Sequence, residues 1–162
     1  MNDTTQQLSP EKQGFIYCLR LLAISKKSCE EIRKRLLEKG YSPEISERIL
    51  ESLKQKNLLS DEKFAKETAE RTTQTKRYGK HRLKHELKRR GISEHLIEQT
   101  LKTISDEDEE SLARELGKER WSRLAKIDPT KRKHRIYQYL VGRGYGFELS
   151  QQITQELFNQ KS

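Results

Sequence analysis

The chain has 162 residues, about one domain at ~150 residues each. It carries 34 Lys and Arg against 25 Asp and Glu, a formal charge of +9, and only 31% hydrophobic residues. That share is well below the ~45–50% of an average domain, so a single large core is excluded and several small cores in an elongated arrangement are expected. The longest aliphatic run, Leu21–Ile24, is far short of the ~20 residues of a membrane helix.

Met1–Gln7 has an Asp, no basic residue and no apolar run, so residues 1–9 are read as a flexible tail and not as a signal peptide. Helices are expected at 10–25, 29–39, 43–56, 61–75, 80–90, 94–104, 107–122, 130–143 and 147–159. Ser9-Pro10, Ser42-Pro43 and Asp128-Pro129 each place a capping side chain before a proline, which has no amide to satisfy. Ser28-Cys29-Glu30-Glu31 is a capping box, in which the serine oxygen takes a backbone donor and Glu31 reaches back. Ser60-Asp61 and Ser93 are further caps. There is one valine, Val141, whereas Leu, Glu, Lys and Arg are abundant, so the fold class is all-α. Cys18 and Cys29 are too few for a disulfide framework or a zinc quartet; they read as reduced thiols of a cytoplasmic protein.

The helices repeat. Aligning Gly40 with Gly91 and Gly144 brings Ile32 onto Leu83 and Ile136, and Leu36 onto Leu87 and Leu140. Tyr41 falls on Ile92 and Tyr145, Ile45 on Leu96 and Leu149, and Leu53 on Ile104 and Leu157. Each glycine sits just past a helix, where a left-handed residue ends it at low steric cost, and the apolar residue after it folds back onto the last turn. The expected organisation is three tandem three-helix repeats, 10–57, 58–105 and 106–162, in a curved, solenoid-like chain. The corners could be helix-turn-helix DNA readers, but a corner that occurs three times is better read as a structural part of the repeat.

The most basic stretch is Lys76–Arg90, with Lys76, Arg77, Lys80, Arg82, Lys84, Lys88, Arg89 and Arg90 against the single acid Glu86. On a helix, Leu83 and Leu87 form a narrow apolar stripe, with Lys80, Lys84 and Lys88 along one flank. Solvated helices ordinarily mix signs, so this surface reads as a site for a polyanion: nucleic-acid phosphate or an acidic protein groove. Lys131, Arg132, Lys133, Arg135 and Arg143 form a second basic set, interleaved with Tyr137 and Tyr139; such rings stack on bases or, more often, belong to a core. Asp106–Glu110 is a run of five acids that suits a helix start and sets an acidic patch between the basic ones. His81 and His85 share a helical face, but their neighbours are cations and HRLKH lacks the Glu of HExxH. No nucleophile elbow, phosphate loop or metal set is present, so no active site, metal or cofactor is expected.

Three stretches resemble the RecX regulatory proteins of bacteria. They are Leu21-Leu22-Ala23 with Ser28-Cys29-Glu30-Glu31-Ile32 and the run to Lys39-Gly40; Leu58-Leu59-Ser60-Asp61-Glu62-Lys63-Phe64-Ala65; and Arg77-Tyr78-Gly79 with Leu83, Glu86-Leu87 and Arg90-Gly91-Ile92. The last is the most specific. The resemblance runs over about residues 12–158, matching more loosely in the third repeat through Leu140, Arg143-Gly144-Tyr145 and Ile153. Where the family often has an Arg before the capping serine, this chain has Lys26 and Lys27. The resemblance implies a monomeric regulator that binds RecA on DNA in the filament groove. It also implies inhibition of the ATPase, strand-exchange and coprotease activities, placing the protein in homologous recombination, DNA repair and the SOS response. The residues expected to meet RecA or, more weakly, single- and double-stranded DNA are the two basic sets. A basic nucleic-acid-binding module without a RecA partner, and an adaptor for acidic proteins, are the alternatives.

Overall fold

The computed structural model describes residues 8–160; of the tail expected at 1–9, residues 1–7 lie outside the described residues. Nine α-helices occur among them, with no strand: α1 Pro10–Ile24, α2 Cys29–Glu38, α3 Pro43–Gln55, α4 Asp61–Glu70, α5 Lys80–Arg89, α6 Glu94–Lys102, α7 Asp106–Arg123, α8 Pro129–Gly142 and α9 Phe147–Asn159. The expected starts are capped as read. Ser9, Ser42 and Ser93 accept from the amides of Lys12, Ile45 and Leu96, and Asp128 from those of Thr130 and Lys131. Ser28 and Glu31 complete the reciprocal capping box. The helix expected over 61–75 differs from the expectation: α4 ends at Glu70 and the chain continues as a wider π-helical turn, Arg71–Thr75. In that turn the amides of Lys76 and Tyr78 reach back to the carbonyls of Arg71 and Thr72 at 3.0 and 2.9 Å.

Two compact units divide the chain. The first runs through Phe64 and includes Arg89–Ile92; the second comprises Ala65–Lys88 and the chain from Ser93 onward. In the first, α1, α2 and α3 enclose Cys18, Cys29, Ile32, Leu36, Ile49, Leu50 and Leu53. In the second, α7, α8 and α9 enclose Ala113, Leu116, Trp121, Ile136, Leu140, Ile153 and Leu157. Burial pushes both cysteine thiols up to about 11, which leaves them protonated and unreactive near neutral pH.

All three repeat glycines take the left-handed conformation, Gly40 at φ 97°, Gly91 at 76° and Gly144 at 90°. The Tyr41 and Tyr145 amides return to the carbonyls of Leu36 and Leu140, at 3.1 and 3.2 Å. Asn57, at φ 55°, ends α3 by the same device, with the Leu58 amide on the Leu53 carbonyl at 2.9 Å.

The second and third corners are each received by the start of a helix from the preceding repeat. Within the first unit, the Ser28 hydroxyl donates to the Arg90 carbonyl at 2.5 Å, and Arg90 pairs with Glu31. A Cβ on Gly91 would stand 2.5 Å from the Glu30 Cβ. Within the second unit, the amides of Gly79 and His81 donate to the carbonyls of Arg143 and Gly144 at 3.0 and 3.1 Å. A Cβ on Gly144 would lie 2.6 Å from the Arg82 nitrogen. An acid from the first helix of the following repeat completes each seat: Asp61 of α4 accepts the Cys29 amide at 2.8 Å, and Glu109 of α7 the Lys80 amide at 2.7 Å. Both helix starts thereby gain partners for amides that no helix supplies internally.

The corners differ in what a side chain would meet. Gly40→Ala adds only left-handed strain, about 1–2 kcal/mol. Gly144→Ala adds that strain and a collision with backbone, a further ~1–3 kcal/mol. Urea unfolding of the two variants is expected to place the Gly144→Ala midpoint clearly below that of Gly40→Ala; equal midpoints would contradict the seated corner.

Candidate interaction surface

Arg77-Tyr78-Gly79 sits where the wide turn hands over to α5, and it carries one of the two left-handed non-glycine residues among the described residues. Arg77 is left-handed at φ 54°, a conformation that costs a non-glycine residue about 1–2 kcal/mol. Its carbonyl, turned by that conformation, accepts from the Tyr145 hydroxyl at 3.0 Å and from Arg143 at 3.3 Å. Its guanidinium pairs with Glu115 at 2.7 Å and Glu119 at 3.1 Å on α7. Burial drives the Tyr145 hydroxyl up to about 12, so it remains a donor at any physiological pH. Partial burial opposes the Arg77 charge, and Glu119 and Glu115 outweigh it, raising its pKa.

Tyr78 is held between two guanidinium groups. Arg143 lies 4.4 Å from its ring centroid and Arg82 4.6 Å. Arg143 also lies 5.7 Å from the Tyr139 ring, whose centroid is 5.2 Å from Arg120. The result is an alternation, Arg82–Tyr78–Arg143–Tyr139–Arg120, drawn from α5, the turn before it, the α8 corner and α7. Stacking on ring faces orders guanidinium groups without neutralising them. None of the three arginines makes an ion pair among the described residues, and Arg82 and Arg120 are exposed. Lys76, two residues before Tyr78, is exposed, and its carbonyl accepts from Arg143.

The other expected residues separate into groups. Lys80 pairs with Asp106 at 2.5 Å and lies 3.8 Å from Glu109. Lys84 pairs with Glu94 at 2.7 Å. The acidic run read as a patch of its own thus answers the basic run: Asp106 and Glu109 serve Lys80, and Glu110 pairs with Arg114. The Lys80 ammonium holds Asp106 below its usual range, so the pair favours the fold above the ordinary carboxyl pKa and that contribution fades as pH falls. Lys88 is exposed near Glu94. Arg89 is exposed and, with Arg90, belongs to the first unit. Lys133 bonds Gln155 and lies 5.1 Å from the Phe158 ring, whereas Lys131 and Arg135 are exposed.

Arg132 requires a correction. It is 7% exposed, its guanidinium 4.5 Å from the Trp121 ring and bonded to the carbonyls of Ala125 and Ile127 at 3.2 and 3.3 Å. It closes the turn between α7 and α8 and is not available to a partner. Conversely, the sequence reading omitted Arg120, whose neighbours Glu119 and Lys118 mark it only as part of a mixed-charge helix.

No group of three or more His, Cys, Asp or Glu that could hold a metal occurs among the described residues. No helix among them is long and apolar enough to cross a membrane.

Three family models match in succession: RecX, first three-helix domain, over residues 15–53; RecX, second three-helix domain, over 60–101; and RecX, third three-helix domain, over 107–154. The chain belongs to the RecX family. It is 31% identical over 155 residues to a Regulatory protein RecX of Clostridium perfringens strain 13, covering 92% of this chain and 72% of that one. A Regulatory protein RecX of Chlorobium limicola is 31% identical over 148 residues, with 91% of each chain covered. The crystal structure of RecX from Lactobacillus salivarius superposes with a TM-score of 0.82 over 91% of this chain and 96% of the other, at 20% identity. The fold is therefore that of the RecX proteins, and the Arg77-Tyr78-Gly79 block lies inside the second domain.

Replacing Arg132 with Ala removes charged hydrogen bonds to two carbonyls and is expected to cost about 2–3 kcal/mol. Lys131→Ala, one residue earlier and exposed, is expected to leave stability within about 0.5 kcal/mol. Denaturant unfolding of the pair distinguishes a structural Arg132 from a binding one.

Proposed function

We propose that this RecX-family chain is a non-enzymatic regulator that binds RecA–DNA filaments, in the filament groove, and inhibits the recombinase, ATPase and coprotease activities of RecA. The observation that carries this reading is the Arg82–Tyr78–Arg143–Tyr139–Arg120 alternation. Its arginines are ordered by rings and backbone and make no ion pair among the described residues. Such groups are ready to donate charge-assisted hydrogen bonds to filament carboxylates or DNA phosphate. Family membership supports RecA as the partner, since the relatives are named regulatory proteins. Lys76, Lys88, Arg89, Lys131 and Arg135 add exposed positive charge. The protein acts as a cytoplasmic monomer without metal or cofactor.

A second reading, a nucleic-acid-binding module without RecA, is favoured by the same rings, because half-buried tyrosines among arginines suit base stacking. It predicts tight binding to naked DNA with steep salt dependence, log K falling by ~0.9 for each phosphate neutralised.

The two readings separate in a titration of ATP hydrolysis by preformed RecA filaments on single-stranded DNA, with naked DNA in parallel at matched salt. Inhibition below one protein per RecA subunit, where naked DNA is barely bound, supports the filament reading; inhibition only once the DNA is coated supports the module. Reversing Lys76, Arg82 and Arg120 to Glu is expected to raise the half-inhibitory concentration at least about tenfold, a change of ~1.4 kcal/mol, with the helical circular dichroism retained. Full inhibition by the triple variant would exclude this surface.

A further inference from the structure

We propose that the glycine corner of the first repeat, Lys39-Gly40-Tyr41, is a docking point for the first turn of a helix on the protein partner. This rests on the filament-regulator reading and assigns to that partner a contact distinct from the arginine–tyrosine surface.

The two other corners specify the occupant. Each is filled by a helix start: α2 against Arg90-Gly91, α5 against Arg143-Gly144. The electrostatics are those of a helix end, with outward carbonyls and partial negative charge, meeting a helix start, with donors and partial positive charge. The absence of a Cβ lets the two backbones approach.

The first corner has the same build and no occupant among the described residues. Gly40 has φ 97°, and a Cβ placed there would meet nothing within 4 Å. No backbone amide among the described residues donates to the carbonyl of Lys39 or of Gly40. Lys39 stands where Arg90 and Arg143 stand in the other corners. Its ammonium rests 5.7 Å from the Tyr17 ring and makes no ion pair among the described residues. Arg90, by contrast, has Glu31 from the first turn of its helix. The matching partner is therefore a helix start with a small or hydroxyl-bearing cap and a carboxylate in its first turn, the Ser28-to-Glu31 arrangement supplied from outside.

A second copy of this chain offers no free helix start at the equivalent place in its repeats. Its α2 and α5 starts are taken by its own corners. Its α8 begins one turn earlier relative to the repeat, with Asp128 on the first amides and buried Arg132 where Ser28 and Gly79 stand in the other repeats.

The test uses the full chain and two variants. Gly40→Asn keeps the left-handed backbone, which asparagine tolerates, and plants a side chain where only the partner would meet it. Lys39→Glu reverses the corner's charge. In the ATPase titration on RecA–single-stranded-DNA filaments, Gly40→Asn is expected to raise the half-inhibitory concentration at least about tenfold and Lys39→Glu severalfold. Both should melt within about 4 °C of the parent, and all three should sediment as monomers. Parent-like inhibition by both variants overturns the docking corner while leaving the filament reading intact. A parent dimer that Gly40→Asn dissociates overturns it in favour of self-association. A parent chain that inhibits no filament overturns the reading and this inference together.

Discussion

A helix start presents amides that have no partner within the helix, and a helix end presents carbonyls in the same position. This chain joins the two. The Arg90 carbonyl meets the Ser28 hydroxyl, and the carbonyls of Arg143 and Gly144 meet the amides of Gly79 and His81. Much else follows from that constraint. Glycine is required at 91 and 144 both for its left-handed backbone and for the missing Cβ. Gly79 is required because its own Cβ would overlap the Gly144 carbonyl. Asp61 and Glu109 take up the next amide along. With so little apolar material available, polar backbone groups paired in buried seats do part of the work that a larger core would do.

The candidate surface grows out of the second seat. Bringing Arg143 against residues 76–79 places its guanidinium on the Tyr78 ring and on the carbonyls of Lys76 and Arg77. Tyr145 then caps the carbonyl that the left-handed Arg77 turns outward. Arg82 and Arg120 join from either side through ring faces. Acids from α7 neutralise Arg77 and Lys80, whereas these three arginines make no ion pair among the described residues. The molecule thus divides its cations between those committed to the fold and those left charged and ordered, and the latter are what a polyanionic partner would select.

What the sequence made legible is local. Capping serines, the prolines after them and the three glycines depend on a few adjacent residues, so their reading survives into the structure at Ser28, Ser42, Ser93, Gly40, Gly91 and Gly144. The wide turn at Arg71–Thr75 and the left-handed Arg77 carry no local signal; the Arg77 carbonyl is held by Tyr145 and Arg143, more than sixty residues downstream. The fate of individual cations was illegible for the same reason. Charge counting placed Arg132 on a surface, whereas the chain folds it onto Trp121. It treated Asp106–Glu110 as a separate patch, whereas two of those acids serve Lys80. It passed over Arg120, which only the fold brings to Tyr139.

The seated corner is tested most directly by native-state hydrogen exchange at the amides of Cys29, Gly79, Lys80 and His81. Amides at a helix start exchange rapidly when they face water, because they lie outside the helical ladder. Here each is bonded to a seat partner, at 2.7–3.1 Å. The expected result is that they exchange only through the larger opening that protects core amides such as those of Leu83 and Leu87. Exchange at unprotected rates, with Leu83 and Leu87 still protected, would show the helix starts open to solvent and contradict the account.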